Sequence, residues 1–310
     1  MNKTTLFLFK LVVTVIAIFI IDALLGRAFE SAYQTIPYGE QARMTYAIDS
    51  SKEDILILGS SRASHHYISS VISDRFNLSC YNAGKDKQGL FYSHAVLKMI
   101  LYRHHPKYVI LDITPFSFDE KERGFDLLSI LLPYYKKHPE IQNIINRRSK
   151  WEWLKAKSYL YRYNSLAAQI LFNHISSARE ASARSGYVPL YRNWNNASVA
   201  QYVLSQKPSF ADDTLVAAFT DIIHETRLAN CQLIVVASPF YFPILSEMHT
   251  IKVAEGICLA EKIPFLDYSQ STLFTGNTKV FSDAYHLNDP GAQLFSSILC
   301  EGLSKILPNK

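Results

Sequence analysis

Five short apolar runs recur along this 310-residue chain and constrain its fold more than any other feature. They are Ile55–Leu58, the weaker Ser79–Asn82, Tyr108–Ile113, Gln232–Ala237 and Pro264–Tyr268. Near-continuous apolar stretches of this kind suit strands covered on both faces, as in a parallel sheet. Between them, Leu90–His104 and Asp213–Asn230 carry helical periodicity, and Gly291–Ile306 reads as a closing helix. Strands alternating with helices predict an α/β fold, a three-layer α/β/α domain with right-handed crossovers. A composition that is 48% hydrophobic and 19% charged supports the packed core such a domain needs. Residues 115–210 interrupt the alternation with Tyr, Trp and Arg and with helix-like pieces such as Trp151–Lys157. A structureless connection of that length does not suit a compact domain. A helical insertion is therefore expected between the third and fourth strands, on the side where the site loops emerge. Its aromatics are expected to form a small core of their own, and covering the substrate is the sharper alternative.

The amino terminus bears on the compartment. Leu6–Leu25 is apolar apart from Lys10, Thr14 and Asp22, and Leu11–Ile21 carries no charge. About 20 helical residues span a bilayer core. No good small-residue cleavage site follows, so residues 1–30 are expected to be an uncleaved transmembrane signal anchor. A cleaved signal peptide and a soluble helix are the alternatives. Lys3 and Lys10 precede the uncharged core and Arg27 follows it, which favours a cytoplasmic amino terminus and a domain outside the cytoplasm, periplasmic or extracellular. Residues 31–52 read as a connector, and 53–310 as the α/β domain. The net charge of +5 comes from scattered basic residues without a nucleic-acid motif, so solvated faces are expected and no nucleic-acid partner. Cys80, Cys231, Cys258 and Cys300 lack metal-ligand spacing and sit among apolar residues, which predicts buried free thiols. A disulfide would need an exported domain, and the sequence does not pair the cysteines.

The chemistry gathers at strand ends. Gly59-Ser60-Ser61, Asn82-Ala83-Gly84 and Asp112-Ile113-Thr114 all follow the carboxyl ends of expected strands, where open α/β sheets bind ligands. Near the far end, Asp283 and His286 stand three residues apart in Phe281-Ser282-Asp283-Ala284-Tyr285-His286-Leu287-Asn288. That spacing can set a carboxylate against one imidazole nitrogen and leave the other as a base. With a serine at a strand-to-helix turn, these are the parts of a nucleophile, base and orienter set. Taken singly, Ser61 would be a helix cap and Asp283 and His286 a surface loop. His65 and His66 suggest a metal, but neighbouring histidines on a helix seldom face one ion, so a packed or solvent-facing pair is expected and no metal site. Arg62 is expected to pair on the helix surface, with an anionic substrate as the alternative. His104 and His105 read as a polar helix end.

Together these blocks resemble the SGNH (GDSL-type) hydrolase superfamily, over about residues 53–303 outside the insertion. The resemblance implies a flavodoxin-like parallel sheet in the order 2-1-3-4-5. Ser61 is implied as nucleophile, His286 as base and Asp283 as its orienter, with Gly84 in the second block and no cofactor. Gly59-Ser60-Ser61 replaces Gly-Asp-Ser, with Ser60 where the family has Asp. The third block departs further: Leu111-Asp112-Ile113-Thr114-Pro115 lacks the asparagine that helps hold the oxyanion, leaving the backbone N–H groups of Ser61 and Gly84 and, as a replacement, Thr114. With the anchor, this departure is closer to the cell-envelope branch, which resembles O-acyltransferases. It implies an esterase or O-acyltransferase acting on an acyl ester or envelope glycan, with a membrane-embedded acyl-donor protein as a further partner. A protein that kept the fold for glycan binding and lost turnover is the alternative from another class.

Overall fold

Strand β1 (Ile55–Leu58) is four β-favouring apolar residues, all buried. It pairs in parallel with β2 (Cys80–Asn82) on one side and β3 (Tyr108–Ile113) on the other. β4 (Gln232–Ala237) and β5 (Phe265–Asp267) continue the sheet, in the order β2-β1-β3-β4-β5. The register aligns Leu58 with Leu111 and Ile113 with Ala237, so the segments after β1, β3 and β4 leave the sheet at one end. The chain winds outward in opposite directions from β1 and β3, and this switch point is where such sheets open a crevice. The computed structural model describes residues 2–175, 184–194, 211–243 and 249–308. Parts of the expected insertion, 176–183 and 195–210, thus lie outside the described residues.

Successive strand residues face opposite sides. Ile55, Ile57, Ile110, Ile234 and Val236 share a core with Tyr67, Ile72 and, from the helix Asp289–Leu303, Phe295 and Leu299. The alternate residues Leu56, Leu58, Val109, Leu111, Leu233 and Val235 are buried too. The helices Leu90–Leu101 and Asp213–Leu228 pack on each other and complete the layering. Tyr67 and Phe295 meet edge to face, 5.2 Å between centroids. The four cysteines are buried and unpaired. Burial pushes the thiols of Cys231 and Cys300 up to about 11, so they stay protonated.

Residues 43–124 and 180–310 make up this α/β unit. A second unit joins residues 1–42 to 125–179. Its helix α1 (Lys3–Gln34) is 32 residues and long and apolar enough to cross a membrane. The side chains of residues 6–24 are exposed apart from Asp22 and Ala23, which are half-buried. Lower down, Asp22 accepts hydrogen bonds from Ser158 Oγ and from the N–H groups of Tyr159 (2.9 Å) and Leu160 (3.1 Å). A Cβ on Gly26 would lie 2.3 Å from that of Tyr159, so glycine is what permits this approach. The Tyr33 ring then packs on Tyr134 and Tyr163 at 6.2 and 6.0 Å. The aromatics of the inserted segment therefore share their core with α1 rather than building one alone. Phe116 and Phe118, expected inside the insertion, stay with the α/β unit, where Phe118 meets Phe219 at 5.4 Å. The expected connector carries the end of α1 and a further helix, α2 (Gly39–Asp49).

Candidate active site

After β1 the backbone turns at Gly59, whose φ of +148° and a Cβ position 2.8 Å from that of Ala63 leave room for no side chain. Ser60 then caps helix α3 (Ser61–His66), its Oγ accepting from Arg62 N–H at 3.3 Å. Capping needs a short oxygen-bearing side chain, so Ser60 does here what an Asp could do. Ser61, the first helical residue, is left with its hydroxyl over the strand ends. Its N–H is one of those with no acceptor inside the helix.

The opposing wall comes from the loop 281–287. Phe281 and Leu287 bridge antiparallel, and Ser282 N–H donates to the His286 carbonyl at 2.8 Å. Asn288 caps the last helix by accepting from Gly291 N–H, where a Cβ would fall 2.0 Å from the Val280 carbonyl oxygen. These contacts explain why Leu-Asn-Asp-Pro-Gly-Ala follows the histidine. Within the loop, Asp283 accepts from the N–H groups of Tyr285 and His286 and lies 2.9 Å from His286 Nδ1 through both oxygens. His286 Nε2 is 2.7 Å from Ser61 Oγ. Burial raises the pKa of Asp283, but the bond from His286 and the two backbone N–H groups outweigh it and hold the carboxyl below its usual range. A continuous line Asp283–His286–Ser61 results. With an ionised acceptor at Nδ1, the histidine presents an unprotonated Nε2 to the serine.

His65 and His66 brace this line from α3. His66 Nε2 accepts the Leu287 N–H at 3.0 Å, which puts its proton on Nδ1, facing Ser238 Oγ at 3.1 Å. Burial, with Arg62 and His286 nearby, holds its pKa well below the usual value, so it is a neutral imidazole. The His65 ring stands edge-on to His286 at 5.4 Å. It is fixed by the Val188 carbonyl at 2.7 Å and by Asp86 at 3.3 Å. Burial lowers the pKa of His65, but the Asp86 carboxylate and the carbonyl outweigh that and raise it. Among the described residues, no group of three or more His, Cys, Asp or Glu could hold a metal ion.

Three sequence expectations meet competing contacts. Arg62 is not on the helix surface: it is buried, with Nη2 donating to Ser238 Oγ at 2.9 Å and to the Pro239 carbonyl at 2.8 Å. Its long side chain follows the sheet floor because the carbonyls after β4 and the buried Asp112 offer the negative groups there. The Gly84 N–H already donates to Asn82 Oδ1 at 2.9 Å. Gly84 instead allows close packing, since a Cβ would sit 2.5 Å from Ser64 N. The Thr114 hydroxyl lines the cleft but accepts from Phe116 N–H at 3.2 Å and pairs with Ser117 Oγ at 3.2 Å.

The cleft has a volume of about 220 Å³. Besides Ser61 and His286, its wall includes Lys87, Gln88, Phe240 and Tyr285, which sequence reasoning did not select. Lys87 sits at φ +62°, unusual for a side-chain-bearing residue. Their signal was positional: Asp86-Lys87-Gln88-Gly89 and Ser238-Pro239-Phe240 follow the ends of β2 and β4.

No family model matches the chain, and no curated protein matches it. Among solved structures, the chain is similar to a lipase/acylhydrolase from Enterococcus faecalis (12% identity, TM-score 0.42, covering 83% of this chain and 98% of that one). It is also similar to a G-D-S-L family lipolytic protein, so described provisionally, from Desulfitobacterium hafniense (9%, TM-score 0.40, covering 80% and 98%). A third is a family two carbohydrate esterase from Clostridium thermocellum, in complex with cellohexaose (11%, TM-score 0.42, covering 83% and 66%). At such identities and scores these are likenesses of chain path. The strand order and the Asp283–His286–Ser61 line carry the functional reading.

Proposed function

We propose that this chain is a membrane-tethered serine acyl-ester enzyme of the SGNH type. The observation that carries the proposal is the 2.7 Å contact of Ser61 Oγ with His286 Nε2, backed by Asp283 at 2.9 Å. Ser61 Oγ attacks an ester carbonyl as its proton passes to His286 Nε2, and Asp283 stabilises the resulting imidazolium. The tetrahedral oxyanion lies against the Ser61 N–H at the start of α3. Collapse expels the alcohol, which takes the proton from His286 and leaves an acyl-Ser61. An acceptor hydroxyl then gives its proton to His286, attacks the acyl carbonyl and releases Ser61.

The small cleft suits a short acyl group, with the rest of the substrate outside it. Water as acceptor gives an esterase, and a hydroxyl of an envelope glycan gives an O-acyltransferase supplied by a membrane-embedded donor. In this reading α1 spans the membrane and the site works outside the cytoplasm. Of three candidate oxyanion donors, the Gly84 N–H is taken by Asn82 and the Thr114 hydroxyl is paired with Ser117, and each missing donor costs about 10² to 10³ in rate. Turnover should therefore be slow. The test is labelling of the full-length protein with a fluorophosphonate probe, and turnover of an acetyl ester with and without a glycan acceptor. Labelling of wild type but not of Ser61→Ala supports the proposal. An unlabelled, folded wild type leaves the glycan-binding reading in its place.

A further inference from the structure

The segment 125–175 turns apolar side chains outward beside the lower part of α1. Trp151 is 55%, Trp153 47% and Leu154 48% exposed, and on the helix Ala167–Ile175 Leu171 is 56% and Phe172 66% exposed. Exposed aromatic and aliphatic groups this concentrated mark a surface made to be covered. The same segment is basic. It has eight Lys and Arg against three Asp and Glu, a net +5 equal to that of the whole chain, so all other residues together balance at zero. Lys150 lies over the Trp151 ring at 5.5 Å and Lys157 over Trp153 at 4.8 Å. One of the three acids, Glu152, is buried and neutralised locally by Arg148 and Lys155.

The clasp on α1 gives this surface its depth. Asp22 falls at the end of the apolar run and is held by Ser158, Tyr159 and Leu160. Trp153 is five residues before Ser158, so it lies within about 18 Å of that clasp even if the chain were fully extended. The helix Ala167–Ile175 also packs on α1. If Leu6–Leu25 occupies the roughly 30 Å hydrocarbon layer, Asp22 stands at its edge. The Trp and Lys residues are then at headgroup level, where amphipathic rings and snorkelling cations are favoured.

We infer that residues 125–175 form a second membrane contact, an interfacial foot seated in the headgroup layer beside α1, with anionic lipid headgroups against exposed cations such as Lys150 and Lys157. The inference rests on the reading of α1 as membrane-spanning and is independent of the chemistry at Ser61. Two tryptophans in the foot and one at Trp194 make fluorescence a direct probe. The full chain is reconstituted in phosphatidylcholine–phosphatidylglycerol vesicles whose acyl chains carry bromine near the headgroup. Emission of the Trp194→Phe variant should fall by roughly half or more, because both remaining indoles sit at the interface. Trp151→Ser/Trp153→Ser, which keeps only Trp194, should lose that quenching while floating with the vesicles at alkaline pH. Quenching by aqueous acrylamide but not by bromolipid would show a solvent-facing surface and overturn the inference. Quenching by neither would show a protein cover, a second copy or another chain, and also overturn it. A chain released from the vesicles at alkaline pH overturns the spanning premise, and the inference with it.

Discussion

The two units of this protein place their large apolar side chains in opposite ways. In the α/β unit the large apolar side chains are inside: Phe240, Phe274, Phe281 and Phe295 show no exposure. In the unit of α1 and residues 125–175 many are outside, from Phe7 at 64% to Phe172 at 66%. That unit keeps a small core, with Leu131, Ile141, Ile145 and Ile170 fully buried. It is tied to α1 by a carboxylate with three donors, a glycine that admits a neighbouring backbone, and a triplet of tyrosines. The contrast teaches that the units are built for different surroundings. In the proposed reading, one carries the serine site and the other offers its apolar surface to a bilayer.

The largest effect expected is in the chemistry of the α/β unit. Ser61→Ala and His286→Ala should each lower turnover by about 10⁶, and the double variant should be little worse, because the pair acts as one device. Steady-state kinetics with unchanged thermal unfolding would confirm this; additive losses would contradict it. Asp283→Asn should cost about 10⁴, since the imidazole keeps its place but loses the tautomer the carboxylate selects.

The opposite unit should break at its clasp. Gly26→Leu forces a side chain into Tyr159 and should cost at least about 1–3 kcal/mol of local stability. Limited proteolysis in detergent should then cut 125–175 faster, while fluorophosphonate labelling of Ser61 persists. Equal protection of that segment would show that the clasp is not what orders it.

The smallest effect is on pH dependence within the α/β unit. The pKa of His66 is held far below its unfolded value near 6.5. Between those two values the unfolded chain binds the extra proton, so stability rises with pH and is lost as pH falls below about 6.5. His65 has the opposite sign. Its raised pKa gives a contribution complete below about 6.5 and lost as pH rises through the higher folded value. His66→Gln should flatten the acid side of a denaturation midpoint-versus-pH curve and leave the His65 decline on the alkaline side. An unchanged acid limb would show that another group sets it.

Much of this was legible in local pattern. Ile55–Leu58, Tyr108–Ile113 and Gln232–Ala237 are strands because unbroken β-branched and aliphatic runs have few other ways to hide, and their order implied the doubly wound sheet. The apolar stretch of α1 was equally plain. The fates of side chains whose partners are distant in sequence were not. Arg62 read as a surface residue because nothing near it in sequence shows the Ser238 and Pro239 carbonyls, 176 and 177 positions away. The Gly84 N–H looked available until Asn82 turned its own side chain back on it, and Thr114 until its turn closed on Ser117. Sequence alone determined which apolar runs become strands and which residue types could do chemistry, since composition and spacing decide hydrophobic period and donor type. Tertiary structure decided which hydrogen-bond donors remain unengaged, because a donor's availability depends on every acceptor that folding brings within about 3 Å.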